Sequence, residues 1–263
     1  MFRAYTPSLD GQVHYREAGT PDGPPLVLFH QSPCSSQMYE RLIPLLPQHH
    51  RIIAPDSPGF GATDPLADGP SIAGFAEVLG DALARIDDRP WHVFGHHTGS
   101  VVAMAVVQAG KLPVRSLTLC GPPYFNDELR ALLTSLYQSS DAAPSVTDHL
   151  HDSWARIRDT ASGVPEELLL RDFAQGLLVD DLPGVYRSAM SFDPLAALAH
   201  ATMPTMILAG ERDPIRSGFP VIRDAVPHAQ YVSIAEGGIQ MCESQAPEIA
   251  EHLGAFLAQV EAG

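Results

Sequence analysis

Short, continuously apolar runs alternate with longer stretches of helical periodicity along this chain, and that alternation narrows the available folds more than any other feature. Pro25–His30 (PLVLFH), Arg51–Asp56 (RIIAPD), Trp91–His96 (WHVFGH), Ser116–Gly121 (SLTLCG), Pro204–Gly210 (PTMILAG) and Gln230–Ala235 (QYVSIA) read as strands. Unbroken apolar character marks strands covered on both faces, hence a parallel sheet. Gly11–Gly19 (GQVHYREAG) instead alternates apolar and polar after a turn at Leu9-Asp10-Gly11. It is expected as an antiparallel edge strand.

Between the strands lie helical stretches. Ser71–Ile86 starts on a capping serine and repeats apolar residues three and four apart. Thr98–Gly110 is apolar on nearly every side and predicts a buried helix, and Gln245–Val260 predicts a closing helix. The pattern predicts an α/β fold with a doubly wound, mostly parallel sheet. No strand is legible from about Phe125 to His200, only helical and polar pieces such as DELRALLTSLYQ and PEELLLRDFAQGLL. A core of residues 1–124 and 201–263 with a helical lid at 125–200 is therefore expected. Leu132, Leu133, Leu136, Tyr137, Trp154 and Leu168 to Leu170 would give the space between lid and sheet an apolar lining.

The chain has 263 residues, 45% of them hydrophobic and 18% charged, as in an ordinary globular protein. Its net charge of −15 argues against a nucleic-acid partner, since phosphate binding needs basic clusters. The start, MFRAYTPSLDGQVHY, lacks the apolar core of a signal peptide, and no run is long enough to cross a bilayer. Cys34, Cys120 and Cys242 are far apart, without the spacing of a disulfide framework or zinc site. A reduced, cytoplasmic setting is expected, with a small-molecule substrate and neither membrane nor nucleic acid as partner. His149 and His151, flanked by Asp148 and Asp152, offer too few further ligands for a metal and read as a solvated face. No dinucleotide-type glycine loop and no metal set is legible, so no cofactor is expected.

Four fragments occur in a telling order: HQSP at His30–Pro33, DSPGFGATD at Asp56–Asp64, GHHTG at Gly95–Gly99, and GERDPI at Gly210–Ile215. Together they resemble the α/β-hydrolase superfamily over nearly the whole chain. The resemblance implies that GHHTG is a nucleophile elbow, that the backbone N–H groups of Ser32 and Thr98 face a developing oxyanion, and that Asp213 is the triad acid. An elbow is a sharp strand-to-helix turn whose flanking positions must be small, which explains Gly95 and Gly99. Gln31 stands where the family has glycine, and His30 reads as support for its loop.

Two positions depart from the family. His97 occupies the nucleophile's place, with His96 before it as a structural or substrate-side neighbour. The histidine expected after the last strand is missing from EGGIQMCESQAPEIAEHLGAF; Gln240, or with a shifted alignment Gly238, falls in its slot. A serine–histidine–aspartate mechanism has neither its hydroxyl nor its imidazole here. An imidazole at the elbow reaches farther than a serine, so His97 is expected to approach Asp213 and act as a general base. Hydrolysis of an ester, lactone or activated carbon–carbon bond would use these parts, and so would a lyase, decarboxylase or isomerase working through an enolate. Acylation of His97 itself ranks below its action as a base. A ligand-binding protein without turnover, with Asp213 only capping the next turn and Gln240 only a loop residue, is the competing expectation.

Overall fold

The computed structural model describes residues 1–131, 146–160 and 164–263. The strands are β1 (Phe2–Ser8), β2 (Gly11–Gly19), β3 (Pro25–Phe29), β4 (Arg51–Pro55), β5 (Trp91–His96), β6 (Val114–Cys120), β7 (Thr205–Gly210) and β8 (Gln230–Ile234). They form one sheet in the order β1-β2-β4-β3-β5-β6-β7-β8. Every pairing from β4 across to β8 is parallel. β2 pairs antiparallel with both β1 and β4. Gly11–Gly19 is thus not the edge strand. The edge is β1, whose exposed residues give its sequence little apolar signature.

The unbroken apolar runs resolve into two faces once the two-residue period is applied. Val27, Phe29, Ile53, Val93, Leu117, Leu119 and Ile207 pack toward helices α1 (Ile72–Ile86) and α2 (Thr98–Ala109). Leu26, Leu28, Ile52, Ala54, Phe94, Met206 and Leu208 pack on the opposite side, with Ile249, Leu253 and Phe256 of the closing helix. Each such side chain contributes roughly 1.5–3 kcal/mol when fully buried. Helix α1 is capped by Ser71, whose Oγ accepts from the Gly74 N–H at 3.0 Å. Helix α2 is buried from Gly99 to Val107 and ends at Gly110, whose φ of 63° favours a residue without Cβ.

Between β6 and β7 the described residues contain no strand. They form helices α3 (Val146–Thr160), α4 (Glu166–Gly176), α5 (Leu182–Ser191) and α6 (Pro194–Leu198). A further helical stretch begins at Asp127, where Asn126 Oδ1 accepts from the Leu129 N–H. Leu132, Leu133, Leu136 and Tyr137 lie outside the described residues. Leu168 and Leu169 are buried, whereas Leu170 is exposed. Trp154 packs edge-on against Phe173 with ring centroids 5.5 Å apart. The chain then continues through α7 (Phe219–Ala225), the short α8 (Met241–Ser244) and the closing α9 (Ala246–Ala262). No helix among the described residues is long and apolar enough to cross a membrane.

Asp56 organises the loops at the carboxyl ends of β3 and β4. Its Oδ1 accepts from the Ser36 N–H at 2.7 Å, and its Oδ2 accepts from His14 Nδ1 at 2.7 Å and from the Ala62 N–H at 3.0 Å. Gly61 completes the turn, since a Cβ there would strike the same carboxylate. Burial opposes the ionised form, but these hydrogen bonds outweigh it and hold the carboxyl at about 2, against 3.8 when unperturbed. A depressed carboxylate pKa adds stability that is complete above the unfolded value and is lost as pH falls through the folded one. Asp56→Asn should therefore cost on the order of 2 kcal/mol at pH 7, from the size of that displacement. The gap between wild type and variant should close as pH falls toward 2, as read from urea unfolding at several pH values.

Candidate active site

The elbow is built where β5 meets α2. Its backbone reverses at His97, with φ 49° and ψ −114°, the one positive-φ residue other than glycine among the described residues. That conformation is strained for an L-residue and persists only where the surroundings enforce it. They do so here on both sides. A Cβ on Gly95 would meet the backbone of Gly99, and one on Gly99 would meet the carbonyls of Phe29 and His30. The His97 N–H donates to the Cys120 carbonyl at the end of β6 at 2.9 Å, and Ser100 Oγ donates to the Gly95 carbonyl at 2.7 Å.

From this turn the His97 ring reaches across to the loop after β7. Its Nε2 lies 2.7 Å from Oδ2 of Asp213, which is fully buried. Asp213 Oδ1 accepts from the Ile215 N–H at 3.0 Å, so the carboxylate caps the next turn and holds the ring with its two oxygens. A carboxylate can only accept, so Nε2 carries the proton and Nδ1 presents a lone pair. Nδ1 has no hydrogen bond among the described residues. Gly121, just beyond β6, supplies the room: a Cβ there would lie 2.8 Å from His97 Cδ2, 2.9 Å from Nε2 and 3.0 Å from Met241 Cε. Nothing in the local sequence marks Gly121, because the ring that needs its missing side chain belongs to another loop.

The Thr98 and Ser32 amides stand at the two loop ends that the sequence singles out. Thr98 is the first residue of α2, where N–H groups have no intrahelical partner. Neither N–H has a hydrogen-bond partner among the described residues, and both residues are half-buried. The loop bearing Ser32 is fixed through His30, whose Nε2 accepts from the Ser57 N–H at 2.8 Å. The His30 Nδ1–H therefore donates to the Gln31 carbonyl at 2.9 Å. Burial, the largest influence, lowers the His30 pKa and keeps the ring neutral, as this bonding pattern requires.

Three other expected site residues are buried, two of them with side-chain hydrogen bonds of their own. Gln31 is buried, and its Nε2 donates to Cys34 Sγ at 3.6 Å, bracing its own loop. His96 is fully buried behind the elbow, edge-on to His97 at 4.8 Å and beside Cys120 and Cys242. It packs beneath the turn at His97, and burial drives its pKa well down. Gln240, in the slot of the missing histidine, is also buried, and its Nε2 donates to Asp172 Oδ2 on α4 at 3.1 Å. It thus belongs to a latch. Arg171 donates to both Glu243 oxygens at 2.7 and 2.6 Å and to Asp172 at 2.6 Å. Burial raises the Glu243 pKa despite the guanidinium. The latch and the Tyr186 hydroxyl, which donates to the Ser32 carbonyl at 3.4 Å, tie the α4–α5 segment to the site loops. Sequence reasoning missed Arg171, Asp172 and Glu243, because a charged pair in an amphipathic helix reads as a solvated face. His151 in α3 is exposed and, among the described residues, lies 4.0 Å from its neighbour Asp152.

A parallel sheet in this strand order, with a glycine-flanked elbow after β5 and an acid after β7, defines an α/β-hydrolase-type protein. The family model for the alpha/beta hydrolase fold matches residues 24–239, and the chain belongs to that family. It is 33% identical over 110 residues to haloalkane dehalogenase 2 of Mycobacterium tuberculosis, covering 41% of this chain and 38% of that protein. An uncharacterized hydrolase of Saccharomyces cerevisiae is 53% identical over 53 residues, covering 20% of this chain and 18% of its relative. The matches thus span less than two fifths of these curated relatives. Among solved structures, an esterase from Exiguobacterium antarcticum superposes with a TM-score of 0.80 at 18% identity, covering 99% of this chain and 100% of that one. A haloalkane dehalogenase from Bradyrhizobium elkani superposes with a TM-score of 0.73 at 18% identity, covering 99% of both chains. At such identities the likeness is one of fold.

Proposed function

We propose that this chain is a cofactor-independent hydrolase of small, mostly apolar carbonyl compounds, with His97 as general base in place of a serine nucleophile. The observation that carries the reading is the 2.7 Å contact of His97 Nε2 with buried Asp213, which leaves Nδ1 as the basic nitrogen. In this scheme Asp213 fixes the tautomer and steadies the imidazolium as it forms. Nδ1 takes a proton from water as the water oxygen adds to the carbonyl carbon. The Thr98 and Ser32 amides receive the oxyanion, aided by the positive end of α2. Collapse of the adduct expels an alkoxide, which recovers the proton from Nδ1, giving acid and alcohol.

The two unpartnered amides suit the charge that develops on a carbonyl oxygen. The α4–α5 segment, latched through Arg171 and Gln240, serves as the lid, and its buried Leu168 and Leu169 suit an apolar substrate. Turnover of a panel of aryl esters and lactones by wild-type and His97→Ala chains tests this reading. The substitution should lower kcat/KM by about 10²–10⁴-fold, the usual contribution of a general base. Fluorophosphonate should leave the wild type unlabelled. Full activity in the variant, or stoichiometric labelling of a serine, would show that the chemistry lies elsewhere.

A further inference from the structure

At the opposite end of the sheet, roughly 15 Å from the elbow by strand rise, a second cluster of titratable groups serves no part of this scheme. His49 and His50 precede β4, His92 is the second residue of β5, and Glu261 lies in the last turn of α9. Their functional atoms converge. His50 Nε2 is 2.7 Å and His92 Nε2 3.6 Å from Glu261 Oε1, and His49 Nε2 is 3.5 Å from Oε2. His50 and His92 are fully buried. Even so, His50 Nε2, His92 Nε2 and Glu261 Oε1 make no hydrogen bond of acceptable geometry among the described residues. Orphaned buried polar atoms are rare and call for a partner.

The opposite ring nitrogens explain what that partner is. His50 Nδ1 lies 3.2 Å from the Pro47 carbonyl, which can only accept, so Nδ1 carries the proton of the neutral ring and Nε2 is a bare lone pair. That lone pair faces a carboxylate oxygen 2.7 Å away, an arrangement that repels unless a second proton on Nε2 or a metal ion links the two. His92 is anchored at its Nδ1, 2.7 Å from the Ser116 hydroxyl, which can donate as well as accept, and its Nε2 lies 3.6 Å from Glu261 Oε1. Anchoring of the far nitrogen by a carbonyl or hydroxyl is how proteins orient a metal-binding imidazole. Imidazole and carboxylate donors bound to one zinc ion at about 2.0–2.2 Å stand roughly 3.3 Å apart in a tetrahedron, which the observed separations bracket. His49 is exposed along 62% of its side chain and gives an entry path.

We infer that His49, His50 and Glu261, with His92 behind them, form a zinc-type metal site that pins the C-terminal helix to the amino end of the sheet. His96, Cys120 and Cys242 also converge, but all three are sealed in the core and the two thiols already contact each other at 3.7 Å.

The test uses the full chain, stripped with EDTA, dialysed and titrated with zinc chloride against a chromophoric zinc indicator. One equivalent should bind with micromolar or tighter affinity. At about 100-fold excess over Kd the melting temperature should rise by roughly 5 °C or more. His49→Ala, an exposed change that the fold tolerates, and Glu261→Gln should each weaken binding by at least about tenfold and remove the shift. Ester turnover should be the same with and without zinc, which separates this outcome from that of the His97 experiment. Binding no tighter than about 100 μM, or tight binding retained in both variants, would overturn the assignment.

Discussion

An Asp213→Asn chain should lose on the order of 10⁴-fold in kcat while remaining folded, the cost of an inverted tautomer in a related catalytic arrangement. The amide oxygen of asparagine can still accept from the Ile215 N–H, and its NH₂ can still reach His97 Nε2. The direction of the second bond, however, is reversed. Nε2 becomes an acceptor, the single ring proton moves to Nδ1, and the nitrogen that faced the substrate side is no longer basic. Stability should change little, because both hydrogen bonds persist and a buried charge is removed. Activity and urea midpoint therefore separate the roles of Asp213. A catalytic carboxylate gives a large rate loss with a small shift in midpoint, whereas a merely structural cap, which asparagine preserves, leaves both nearly unchanged.

Gly121→Ala should also be damaging, by another route. Two effects combine at this position. A φ of 57° costs an L-residue about 1–2 kcal/mol, and the new methyl would press on the His97 ring and on Met241. Overpacking of a filled site adds roughly 1–3 kcal/mol. The ring is the easier of the two to displace, and a shift of about 1 Å away from Asp213 should cost around 10²-fold in kcat/KM. Gly110→Ala is the control, since φ there is 63° but no atom lies within 4 Å of the added Cβ. It should lose a similar conformational increment in urea unfolding and retain full turnover. Equal activity loss in both variants would mean that backbone strain, and not contact with His97, sets the effect.

Legibility in the sequence followed the range of the physical interactions involved. The strand runs, the Ser71 cap, the buried α2 and the closing helix are local signals of burial period and capping, and they were readable at once. The β1 strand was not, because an exposed edge strand carries no burial pattern of its own. His97 and Asp213 could be matched as partners only through their places in the motif order. The bond from Gln240 to Asp172 is not legible in the sequence, because Asp172 is contributed by a helix 68 residues away. The zinc-type cluster escaped notice for the same reason, since its donors come from residues 49, 50, 92 and 261.

Neighbouring residues and short spacings are enough to specify the mostly parallel sheet, the glycine-flanked turn and the imidazole that stands in place of a hydroxyl at its apex. Only the tertiary structure decided that the ring's far nitrogen meets Asp213 while the near one stays free, that Gly121 makes space for it, and that Arg171 and Gln240 fasten the helical segment to the site. Those outcomes depend on directions of side chains brought together across the sheet, and direction is fixed by packing rather than by order along the chain.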